Sequence, residues 1–129
     1  MSIIRKIENA QFLSDMLLAN PGLILIKLGA TWCGPCKKIE PLVNQWLQVM
    51  PQKHVQLALI DIDDNINLYS FLKKKRVVNG VPTILAYYPE NDHYFPDDMT
   101  TGSNEKTTND FFIRCAEHLK SNFDVNIIS

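Results

Sequence analysis

Three short apolar runs, separated by segments of helical periodicity, constrain this chain more than any other feature. Leu23-Ile24-Leu25-Ile26-Lys27-Leu28, Val55–Ile62 and Val81–Tyr88 are nearly continuous in apolar character. Runs of that length suit strands covered on both faces. Between and around them the spacing predicts helices over 10–19, 34–49, 66–75 and 105–122. Asn9 is placed to cap the first, and Asn20-Pro21-Gly22 to end it. Pro41 falls inside the second and is expected to kink it. Asp63, Asp64 and Asn65 are placed to cap the third. The last carries Phe111, Phe112, Cys115, Ala116, Leu119 and Phe123 on one face. Residues 89–104 are polar and turn-rich, with room for an edge strand near 93–95 or 99–101. Strand–helix alternation followed by a late hairpin predicts an α/β fold. Its centre would be a mixed sheet of about four to five strands, flanked by about four helices.

The 129 residues fit one domain, read here as 1–123 with a tail over 124–129. A chain of this size buries roughly two-thirds of its unfolded surface, so its core needs no metal or disulfide staples. Thirteen basic against fourteen acidic residues argue against a nucleic-acid partner. No run of apolar residues is long enough to span a membrane, so none is expected as partner. The first residues lack a charged region followed by an apolar one. Only three cysteines occur, Cys33, Cys36 and Cys115. That usage suggests a reducing, cytoplasmic setting, where a lone C-x-x-C is more often redox-active or metal-binding than structural.

Trp32-Cys33-Gly34-Pro35-Cys36-Lys37 sits between a predicted strand and a predicted helix. In open α/β sheets, chemistry collects at the carboxyl ends of strands. There Cys33 meets the unpaired N–H groups and positive dipole end of the helix, which favour a thiolate. An ordinary thiol has a pKa of ~8.5 and is only a few per cent ionised at neutral pH. Cys36, one turn on, shares the face of Cys33. Gly34 and Pro35 suit a helix entry, since Pro lacks only an N–H that would be orphaned anyway. The expected chemistry is attack by Cys33 on a substrate disulfide, followed by attack of Cys36 on the Cys33 sulfur. The pair is itself the redox group, so no bound cofactor is required.

At these residues the chain resembles the thioredoxin family, whose active-site motif it matches letter for letter. (That family is also the stock illustration of a C-x-x-C beside a βαβ pattern.) Gly80-Val81-Pro82-Thr83 resembles the family's cis-proline turn. The resemblance implies a thioredoxin-like fold over most of 3–123. It implies a cis Pro82, with Val81 facing substrate and Trp32, Gly34 and Pro35 shaping the loop. Pro41 resembles the family's kinking proline, and Gly102 its glycine after the edge strand. The function implied is thiol–disulfide exchange with protein disulfides, mainly as a reductant. Electrons would come from a reductase or a small thiol. The alternative is a non-catalytic binding module or subunit of a larger complex. A metal or iron–sulfur site shared between two chains is disfavoured by Pro35 and by the lack of nearby ligands.

Two departures stand out. The family's buried aspartate before the motif is replaced by Lys27, and that aspartate's lysine partner falls near Leu59. An ammonium behind Cys36 favours thiolate over thiol and so tunes resolution and potential. A lysine that snorkels to solvent would change little. Gly29 stands where many relatives carry an aromatic side chain. The remaining features have plain structural readings. Cys115 reads as a buried core thiol. Lys73-Lys74-Lys75-Arg76 reads as a solvated helix end. Asp61, Asp63 and Asp64 read as strand-end and capping residues. Loop 89–104 reads as a surface insertion. His54, His93 and His118 form no zinc pattern with the cysteines.

Overall fold

The computed structural model of the protein describes residues 2–127. Its elements run α1 (Ala10–Leu18), β1 (Leu23–Gly29), α2 (Gly34–Val49), β2 (Val55–Asp61), α3 (Ile66–Lys74), β3 (Thr83–Tyr87), β4 (Asp98–Thr101) and α4 (Glu105–Asn122). The sheet order is β2-β1-β3-β4. β1 runs parallel to β2 and antiparallel to β3, and β4 is antiparallel to β3. This is the mixed sheet expected, with four strands among the described residues. Ile4 adds a single parallel bridge to Ala58 beyond the β2 edge.

Strand alternation divides the core into two layers. Ile24, Ile26 and Leu28 pack with Leu13, Met16 and Leu17 of α1 and Leu68 and Leu72 of α3. Leu23 and Leu25 face the other way, toward Ile39, Val43 and Trp46 of α2 and Phe111, Phe112 and Leu119 of α4. Next along that second face come Lys27 and Gly29. The boundaries of α4 match the expected ones because Asn104 caps it, accepting from the Thr107 N–H at 2.9 Å. α2 runs through Pro41 as one helix.

Three local expectations were refined. The third strand starts at Thr83, since Val81 and Pro82 form a turn before it. Asn65 makes no side-chain cap on α3. Instead it is buried; its Oδ1 accepts from the Ile7 N–H at 2.8 Å, and its Nδ2 donates to the carbonyls of Asp61 and Arg5 at 2.9 and 3.2 Å. The segment before α1 is thereby tied to the end of β2. Loop 89–104 is a surface segment held by specific contacts. The Tyr87 hydroxyl donates to the Tyr94 carbonyl at 2.7 Å, and Tyr94 meets Phe71 edge-on.

The last described residues dock as well. Ile127 is buried in the α2–α4 layer, and Val125 packs beside it. Phe123 stacks on His54 with centroids 4.2 Å apart. Gly22 lies at this junction, where a Cβ would meet the His54 carbonyl oxygen at 2.7 Å and the Phe123 ring at 2.8 Å. Only glycine fits that approach.

Asn65→Ala is expected to destabilise the fold by about 2–3 kcal/mol, because it leaves the buried Ile7 N–H without a partner. Denaturant unfolding measures this, and Asn65→Asp, which keeps the acceptor, is expected to recover part of the loss.

Candidate active site

The site forms where β1 ends. The chain leaves Gly29, turns so that the Cys33 N–H donates to the Ala30 carbonyl at 3.2 Å, and enters α2. Cys33 is the N-cap of that helix. Its Sγ accepts from the Cys36 N–H at 3.1 Å. An N–H aimed at this sulfur at the positive end of a helix stabilises a thiolate. Cys33 and Cys36 are joined as a disulfide, with Cα atoms 5.3 Å apart. Both are nearly buried, at 4% and 5% exposure, so little sulfur is offered to solvent.

The second strand junction brings up the other wall. The Val81–Pro82 peptide bond is cis. The Val81 carbonyl oxygen lies 3.8 Å from Cys33 Sγ. Two bonds hold this turn: the Thr83 hydroxyl donates to the Gly80 carbonyl at 2.8 Å, and the Gly102 N–H donates to the Pro82 carbonyl at 2.9 Å. Gly80 and Gly102 have φ of 126° and 84°, a region that favours glycine. Pro82 is buried and Val81 half-buried. Gly34 and Pro35 are exposed on the first turn of α2.

Trp32 is 65% exposed, a large apolar surface beside the sulfurs. Its ring is held by Asp63, whose carboxylate accepts from Nε1 at 2.8 Å. The sequence reading assigned Asp63 to capping and missed this role. No local pattern signals it, since the partners are 31 residues apart. Asp61 Oδ1 in turn accepts from the Asp63 N–H at 2.9 Å.

Lys27 is half-buried on the central strand β1. It is not at a sheet edge. Its register partners are Leu59 on β2 and Ile84 on β3, so no acidic residue faces it across the sheet. It shares with Cys36 and Gly29 an open cleft beside α2. Among the described residues, no cluster of three or more His, Cys, Asp or Glu side chains is placed to hold a metal. No described helix is long and apolar enough to cross a membrane. Cys115 is a free, fully buried thiol on α4. Burial, and then the charge of Asp98, push its pKa up to about 12.

A Cys33–Cys36 disulfide at a helix N-terminus, walled by a cis-proline turn, defines a small α/β protein built around a C-x-x-C pair. The family model described as Thioredoxin matches residues 4–113, and the chain belongs to that family. Over 73 residues it is 30% identical to Thioredoxin-1 of Saccharomyces cerevisiae, covering 57% of this chain and 65% of that protein. It is 28% identical over 82 residues to the Bifunctional thioredoxin reductase/thioredoxin of Mycobacterium leprae, covering 65% of this chain and 17% of that one. The chain thus spans less than two-thirds of the length of either relative. The X-ray structure of Fasciola hepatica thioredoxin superposes with a TM-score of 0.64 at 27% identity, covering 86% of this chain and 98% of that one.

The buried thiol makes a pH prediction. Burial keeps Cys115 protonated in the fold above the pKa of about 9 expected of the unfolded chain. Stability is therefore expected to fall as pH rises from about 9 toward 12, by up to about 1.4 kcal/mol per pH unit from this group. Denaturant midpoints across that range are expected to decline less steeply for Cys115→Val.

Proposed function

We infer that this chain is a thiol–disulfide oxidoreductase that reduces disulfides of other proteins. The observation that carries this reading is the Cys33–Cys36 pair at the α2 N-terminus, against the Val81 carbonyl. In the dithiol form the Cys36 N–H and the helix end hold Cys33 as the thiolate. Cys33 attacks a substrate sulfur, and the substrate's other sulfur leaves as a thiolate. Cys36 then attacks the Cys33 sulfur, re-forming the internal disulfide and releasing the reduced substrate. Val81, half-exposed before the cis bond, offers backbone for an extended substrate segment. Trp32 offers an apolar platform, with Gly34 and Pro35 leaving the approach low.

Lys27 is a positioning charge in this scheme, acting through Cys36. An ammonium in the cleft favours the Cys36 thiolate and so makes the pair more oxidising. A reductase is the favoured electron donor, supported by the Mycobacterium leprae relative, whose name joins thioredoxin reductase and thioredoxin. A reducing compartment such as the cytoplasm suits a chain whose third cysteine is a free buried thiol.

Cys33→Ser is expected to abolish turnover of a model protein disulfide, and Cys36→Ser to accumulate a mixed disulfide on Cys33 visible by mass spectrometry. Retained turnover in Cys33→Ser would remove the reading. Lys27→Asp is expected to lower the reduction potential by about 30 mV, the equivalent of roughly 1.4 kcal/mol for a two-electron couple. An unchanged potential and pH–rate profile would remove Lys27 from the mechanism.

A further inference from the structure

The cleft beside α2 has a volume of about 530 Å³, and Cys36 lines it. A Cβ built on Gly29 would stand 3.6 Å from Cys36 Sγ, and only Cys36 atoms lie within 4 Å of it. The missing side chain at position 29 therefore leaves room on the cleft side of Cys36, whose residue as a whole is 5% exposed. The cleft also has a charge bias. Arg5, Lys27 and Lys37 line it, against the carboxylates of Glu40 and Asp61. The ion pairs found among the described residues, Lys106–Asp110 and Arg114–Asp98, lie elsewhere. Three cations against two carboxylates leave one positive charge in excess.

We propose that this cleft is a second entrance to the redox pair, by which a small anionic thiol reaches Cys36 directly. The proposal rests on the reading of Cys33–Cys36 as a working redox couple. The donor thiolate attacks Cys36 Sγ, forming a donor–Cys36 disulfide and breaking the bond to Cys33. Cys33 departs as a thiolate at the α2 N-terminus, where the Cys36 N–H already points at its sulfur. A second donor thiolate attacks the donor sulfur of the mixed disulfide. That step releases the donor disulfide and leaves Cys36 as a thiolate in the cleft with Lys27. Two donor thiols give up two electrons and two protons, and the protein disulfide becomes the dithiol. A carboxylate on the donor is attracted by the cationic excess, which raises its local concentration.

The test isolates Cys36. In Cys33→Ser the remaining thiols are Cys36 and the buried Cys115, which serves as an internal control. The native protein is treated with iodoacetate, an anion, and with iodoacetamide, its neutral counterpart, and labelling is read by peptide mass spectrometry. Cys36 is expected to react at least about tenfold faster than Cys115. Relative to free cysteine, its preference for iodoacetate is expected to rise about tenfold at low salt and to shrink as salt is added. Gly29→Leu, whose side chain obstructs the cleft beside Cys36, is expected to slow both reagents about tenfold, and Lys27→Met to remove the preference for the anion. If Gly29→Leu fails to fold, Gly29→Ser and Lys27→Met carry the test.

With the unmutated disulfide, reduction by mercaptosuccinate is expected to slow about tenfold in Gly29→Leu, while attack by Cys33 on a protein disulfide is unchanged. Cys36 labelling as slow as that of Cys115, or mercaptosuccinate reduction indifferent to Gly29→Leu, would overturn the entrance. Absence of protein-disulfide turnover by the unmutated protein, with the labelling pattern of Cys33→Ser intact, would overturn the functional reading instead.

Discussion

Everything at the active end of this molecule depends on β1 being bonded along both edges. β2 lies parallel on one side and β3 antiparallel on the other. The parallel neighbour reaches beyond the strand's end, where the Ile62 N–H donates to the Gly29 carbonyl at 3.0 Å. That bond fixes where the chain leaves the sheet and hence where α2 begins. The antiparallel neighbour sets Thr83 opposite Leu28, which carries Val81 and Pro82 alongside the turn into α2. The contact between Cys33 Sγ and the Val81 carbonyl is thus a consequence of register. A slip of one residue in β3 would reverse its faces and bury the wrong side chains, so the two apolar layers enforce the geometry of the site.

The same layering explains what could be read from the sequence. The apolar runs located the three inner strands because each is covered on both faces. The helical periodicity of Phe111, Phe112, Cys115, Ala116 and Leu119 located α4, and all five are buried. The Trp-Cys-Gly-Pro-Cys motif located the active end because its chemistry depends on a strand-to-helix junction. Hidden features were those made by side chains meeting across long separations. Asn65 reads as a cap and acts as a tie to Ile7; Asp63 reads as a cap and holds Trp32. Both are short polar residues before a helix, so local pattern assigns them the local role. Ile127 lies beyond the last helix, where helical periodicity no longer applies, and it docks with Phe123 and Val125 on the α2–α4 layer.

Loop 89–104 shows a further limit of composition. Its polar residues suggested solvent, and at the surface they bond to one another and to the nearby backbone. Asp97 Oδ2 accepts from the Tyr88 N–H at 2.7 Å and from Asn91 Nδ2 at 3.0 Å. The loop's aromatic residues then pack on α3, where the Lys75 ammonium lies 5.9 Å from the Phe71 ring centroid and 5.8 Å from that of Tyr94. Turn chemistry and aromatic contact, rather than length, give this segment its shape. Through Tyr94 and Phe71 it packs the β3–β4 hairpin against α3.

Lys27 and Gly29 are best understood as one physical unit. They are two residues apart on a strand and so point to the same face, the face that Leu23 and Leu25 fill with apolar contacts to α2 and α4. An ammonium sealed into that layer without a partner would cost several kcal/mol. The register offers it Leu59 and Ile84, neither of which carries charge. What keeps the charge tolerable is its half-buried place on the open cleft, which Gly29 also lines. The same glycine therefore stands beside the resolving cysteine and on the cleft that holds the lysine of the central strand. A large side chain at 29 with Lys27 retained would close the cleft over an unpaired cation. An apolar residue at 27 with Gly29 retained would leave an open cleft without its innermost charge. The charge behind the resolving cysteine and the path to it share a single cleft between the sheet and α2.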